Sequence, residues 1–139
     1  MSKKSVVIFL LALALVSLGT RWAATQLRMT PEKANPNAAG TISLSKNSLD
    51  ITAAGLKPRS VYTVWLVKTT PEKTEAGAGS PPYMFKTDSQ GKGTYRASLA
   101  ESPFGKWQEV MVVLHPDGNP ENMENMVEAL TVKVPRAAG

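Results

Sequence analysis

The sequence predicts an all-β fold, and three observations carry that expectation. Apolar residues alternate with polar ones in short runs from Thr41 onward. Turn residues interrupt those runs at short intervals, with ten Gly and ten Pro spread along the chain rather than pooled. No helical period longer than a turn appears after Gly40, so many short elements with frequent reversals are expected. At 139 residues the chain holds one domain plus a targeting segment.

The elements follow in order. Ile42 and Leu44 share a face in "TISLS", and Leu49, Ile51 and Ala53 share one in "LDITA". Lys46–Asn47 between them reads as a hairpin turn. Gly55 and Pro58 then reverse the chain into "VYTVWLVK", Val61 to Lys68. Val61, Thr63, Trp65 and Val67 take one face of this strand and Tyr62, Val64 and Leu66 the other. Both faces are largely apolar, so a central strand covered on both sides is expected, with Trp65 in the core and the Tyr62 hydroxyl tying down a loop.

"TTPEKTEAGAGSPP", Thr69 to Pro82, reads as a long Gly- and Pro-rich loop, of a kind that is often functional. "YMFKT" is a short strand, "DSQGKG" a reversal and "TYRASL" an alternating strand. "QEVMVVLH", Gln108 to His115, is a second strongly apolar strand. "PDGNPENMEN" is another loop, and "VEALTVKVP" closes the domain. The pattern fits an antiparallel two-sheet immunoglobulin-like sandwich of about seven strands. Counting reversals places the Thr69–Pro82 and Pro116–Asn125 loops at opposite ends. A pocket built from both is not expected, and a ligand is expected at the 69–82 end.

The N-terminus has the pattern of an export signal. Lys3 and Lys4 precede Val6 to Leu18, an apolar run broken only by Ser17. It is short for a membrane span of about 20 residues and suits the apolar region of a signal peptide. Ser17 and Gly19 permit cleavage before Thr20. Retention as an anchor is the alternative, with Trp22 at the lipid boundary. The expected division is a signal peptide or anchor helix over 1–19, a linker over 20–40, a sandwich over 41–135 and a tail over 136–139. The linker assignment rests on the Pro, Asn and charges of "QLRMTPEKANPNAAG". An extracytoplasmic location follows, periplasmic or secreted, with any anchoring to the inner membrane made by residues 6–18.

Composition narrows the chemistry. There is no cysteine, which excludes disulfides, thiolate metal sites and a lipoprotein anchor. The net charge of +5 is carried by basic residues spaced singly along the sequence, so nucleic-acid binding is not expected. A single histidine excludes multi-histidine metal centres, and no Gly-x-Ser-x-Gly elbow accompanies it. Asp88 and Asp117 sit in turn sequences, where short carboxylates accept backbone N–H bonds. No catalytic residue and no cofactor is assigned. The metal candidates are His115, Met123 and Met126, a donor set suited to Cu(I); packing of the methionines against the core is the competing reading.

The stretch "ITAAGLKPRSVYTVWLVK" resembles the extracytoplasmic C-terminal domain of anti-sigma-K-type factors. Gly55, Leu56, Pro58, Tyr62, Trp65 and Leu66 fill its Gly-Leu-x-Pro and Tyr-x-x-Trp-Leu pattern. "MFKTDSQGKG" and "VMVVLHPDGNP" are similar in order downstream. The resemblance implies a stand-alone sandwich outside the cytoplasm. Only a few residues precede the hydrophobic run, so the sigma-binding activity is not implied. The expected function is an exported, non-enzymatic module that binds an envelope protein or ligand through its loops. A membrane-tethered sensor is the alternative, and a copper-binding protein a third. Membrane contact is expected only through the N-terminal segment.

Overall fold

In a computed structural model, residues 24–137 are described. The expected leader over 1–19 and its helix, with the cleavage point before Thr20, lie outside the described residues. The described residues form nine strands and no helix. These are β1 (Thr25–Pro31), β2 (Ala39–Leu44), β3 (Ser48–Ala54), β4 (Val61–Lys68), β5 (Thr74–Gly77), β6 (Met84–Lys86), β7 (Gly93–Ser98), β8 (Glu109–His115) and β9 (Val127–Lys133). All pairings are antiparallel in the order β5-β4-β8-β9-β1-β2-β3-β7, with β6 also on β4. The sheet curls into a half-barrel. Phe85 of β6 thereby comes within 6.2 Å of Tyr95 of β7, ring centre to ring centre.

Two segments depart from expectation. Residues 25–31, assigned to the linker, are β1. Leu27 and Met29 point inward between Gln26, Arg28 and Thr30. The strand pairs β2 over Thr25–Met29, then β9 at Thr30 and Pro31. The linker composition was misleading because Pro31 ends the strand, where a missing N–H costs little. The 69–82 segment is likewise not a bare loop. It contains β5, which pairs with β4 from Trp65 to Lys68. Only Ala76, opposite Leu66, marks an inner face in "TEAG", because an edge strand held by backbone bonds needs few inward-facing side chains.

The core forms where alternation is cleanest. Ile42, Leu44, Leu49 and Ile51 from β2 and β3 meet Val64, Val110, Val112 and Leu130 from β4, β8 and β9. Tyr62, fully buried, is the largest side chain in this layer. It stacks on Phe85 at 5.6 Å and 16°. Its hydroxyl accepts the Lys57 N–H at 2.9 Å, which ties the 55–60 turn to the strand as expected. Burial pushes the Tyr62 phenol above its ordinary range, against a smaller opposing effect of the Lys57 N–H. Trp65 takes the other face of β4 and is partly exposed, so the ring at the centre of the core is Tyr62, not Trp65.

Tyr62→Ala should therefore cost roughly 3–5 kcal/mol of stability by urea unfolding. Trp65→Ala should cost less by about 1 kcal/mol or more, because its ring already meets water. Equal losses would contradict this placement of the two rings.

Candidate functional site

The outer face of β4 and β8 is a second covered layer. Register sets Trp65 opposite Met111, Thr63 opposite Val113, and Val61 opposite His115. Val61, Thr63, Val67, Val113 and His115 are all buried, yet none belongs to the principal core cluster. Asn122 and Met126 after β8, Tyr83 before β6, and Lys73 and Glu75 at β5 lie against this face.

A chain of hydrogen bonds runs through this layer. Trp65 Nε1–H donates to Thr63 Oγ1 at 2.8 Å. Thr63 Oγ1 lies 2.7 Å from His115 Nε2, and His115 Nδ1 lies 3.0 Å from the Asn122 carbonyl. An indole N–H only donates and a carbonyl only accepts. A neutral His115 therefore carries its proton on Nδ1, and Thr63 donates to Nε2. Every side-chain polar atom of Trp65, Thr63 and His115 is then paired, as burial requires.

The 116–126 segment is itself strongly bonded. Asp117 accepts the Asn119 N–H at 3.0 Å and the Asn122 side-chain amide at 2.6 Å. Asn119 accepts the Glu121 N–H at 3.0 Å, and Asn122 the Glu124 N–H at 3.0 Å. The Asn122 amide, then the Asn119 N–H, hold the Asp117 carboxyl below its ordinary range. Asp88 is lowered likewise by the Lys92 and then the Gln90 N–H groups. Both aspartates do the turn work that the sequence suggests.

On the other side Tyr83 covers Trp65, with ring centres 5.6 Å apart and 54° between planes. Tyr83 holds φ at 62°, a left-handed conformation costing a side chain about 1–3 kcal/mol. Contact offsets that cost. Its ring lies directly on Gly77, where an added Cβ would sit 2.2 Å from the tyrosine Cε2. Glycine at 77 is thus required for the close approach.

The metal candidates are placed differently from one another. Both ring nitrogens of His115 are spent on Thr63 and Asn122. Met123 is 47% exposed on the loop. Met126 lines a cleft of about 130 Å³ with Trp65, Met111, Lys73 and Glu75. Ligation by His115 would first require breaking its bond to Thr63. Among the described residues, no three His, Asp or Glu are grouped to hold a metal.

The two long loops keep the separation expected of them, and the cleft contains no residue of Pro116–Asn125. They do leave the sheet at opposite ends, since Val67 pairs Glu109 and Val61 pairs His115. The 69–82 segment folds back as β5, so Lys73 and Glu75 border the cleft with Met126 and Glu128, which follow the second loop. At about 130 Å³ it is well below the roughly 300–1,000 Å³ of small-molecule sites. Sequence reasoning missed Thr63 and Tyr83. Thr63 carries a faint signal, as a hydroxyl within an otherwise apolar central strand. No family model, curated protein or solved structure matches the chain.

Thr63→Val keeps the shape but leaves the Trp65 N–H and His115 Nε2 unpaired. It should cost about 1–3 kcal/mol in urea unfolding, whereas Thr63→Ser should lose only about one methyl group's worth, ~0.8 kcal/mol. A valine variant as stable as the serine variant would contradict the bonded chain.

Proposed function

We propose that the protein is an exported, non-enzymatic binding module that engages an envelope partner through its 116–126 loop. One observation carries the reading. Met123, the exposed large hydrophobic residue among those described, stands on a loop already fixed by Asp117, Asn119 and Asn122. A pre-ordered loop loses little entropy on docking. The polar groups that could do chemistry are instead committed to structure: His115 to Thr63 and Asn122, and Asp50 to Arg96 at 2.6 Å.

The architecture we propose is a two-sheet immunoglobulin-like sandwich. Thr25–Met29 of β1 belongs with β2, β3 and β7, and Thr30–Pro31 with β9, β8 and β4. The likeness of "GLKPRSVYTVWL" to the anti-sigma-K-type extracytoplasmic domain supports it. The basic and apolar start of the chain, Lys3 to Leu18, supports export. Ser17 and Gly19 permit cleavage before Thr20, and the tethered form is the alternative.

A photo-crosslinking residue at position 123, introduced in intact cells, should give discrete adducts in the envelope fraction. The same residue at Ser43, on the opposite sheet, should give none. Equal labelling from both positions, or none from 123, would overturn the loop as the binding element.

A further inference from the structure

The basic residues are dispersed in the sequence, but the fold gathers several at one end. Lys68, Lys106, Lys133 and Arg136 surround an open cleft of about 690 Å³ together with Trp107. Lys106 Nζ lies 5.9 Å from the centre of the Trp107 ring and pairs with Glu101. Within the described residues, no ion pair neutralises Lys68, Lys133 or Arg136. Lys46 and Lys73 lie at the same end. The carboxylates there are Glu72, Glu75, Glu101 and Glu109, with Glu75 held 3.3 Å from Lys73. The balance is positive.

Strand direction shows which end this is. Val67 pairs Glu109, and Glu109 pairs Lys133, so Lys68 and Lys133 are at one end of the sheet. β1 runs antiparallel to β9, which brings its first residue, Thr25, to that end as well. The chain therefore enters β1 at the same end of the sheet as the basic cleft. The apolar run Val6–Leu18 precedes that point in the sequence. Loop 116–126 follows His115 at the far end.

We propose that this basic, tryptophan-bearing end docks on the anionic headgroup surface of a membrane. The inference rests on reading residues 6–18 as a membrane-directed segment, and it extends membrane contact from that segment to the folded domain. Lys and Arg next to a membrane are drawn to anionic lipid. Tryptophan favours the headgroup level. The hydrophobic segment would keep this end near the charged surface, and the attraction acts within about 10 Å of it. The 116–126 loop then faces away from the bilayer.

The full chain is reconstituted with phosphatidylcholine vesicles and with equimolar phosphatidylcholine–phosphatidylglycerol vesicles. Hydrogen exchange is followed at the amides of 104–108 and of Lys133, Val134 and Arg136. The phosphatidylglycerol vesicles should slow these amides roughly 10-fold, and high salt should restore them. Lys68→Gln, Lys133→Gln and Arg136→Gln combined, at one half-buried and two exposed positions, should abolish the slowing. Equal exchange in the two vesicles would overturn the proposal. So would equal protection by inorganic phosphate with phosphatidylcholine vesicles, which would mark a soluble phosphate site instead. Sedimentation with pure phosphatidylcholine vesicles reads the 6–18 segment separately: a chain that stays in solution there defeats the anchor reading, while the phosphatidylglycerol comparison still decides the basic end.

Discussion

A strand that is apolar on both faces must be covered twice. β4 imposes that requirement here, since Val61, Tyr62, Thr63, Val64, Leu66 and Val67 are all buried. The inner cover is conventional, with Val64 and Leu66 packed into the core across from β2 and β3. The outer cover has no second sheet to supply it. It is built from connecting segments, and a connecting segment has to be fixed before it can exclude water. Thr63 and His115 do this. Their hydrogen bond sits inside the outer layer, and the Asn122 carbonyl closes the chain from the loop side. The hydrophobic demand of one strand thus fixes the place of the 116–126 loop at the end of β8.

That geometry separates two tasks along one axis. At one end the loop holds Met123 out on a frame of side-chain-to-backbone bonds. At the other, Lys68, Lys133 and Arg136 gather where β1 begins. The distance between ends is about the length of one strand, ~25 Å for eight residues. A module held at its basic end would present its loop roughly that far from the surface.

Much of this was legible in the sequence wherever burial writes a period. β2, β3 and β7 alternate plainly, and the Tyr62 hydroxyl was read as a tie to the preceding turn. Features held by backbone atoms were not legible. β5 has only the small Ala76 on its inner face, opposite Leu66, and the carbonyl that orients His115 belongs to Asn122, whose side chain does something else. β1 was hidden because Leu27 and Met29 alone mark its face. The assignment of Trp65 to the core failed because both faces of "VYTVWLVK" are apolar, so period 2 cannot say which one points in. The basic end was invisible for a simpler reason. Lys68, Lys106, Lys133 and Arg136 come from three separate parts of the chain, and antiparallel register brings them together.

The role given to His115 is the most exposed to direct test. Long-range proton–nitrogen NMR reads which ring nitrogen of the neutral imidazole bears the proton. The proton is expected on Nδ1, bonded to the Asn122 carbonyl and slow to exchange, with Nε2 accepting from Thr63. A proton on Nε2, or a ring in free exchange with water, would contradict the bonded outer layer on which the placement of the loop depends.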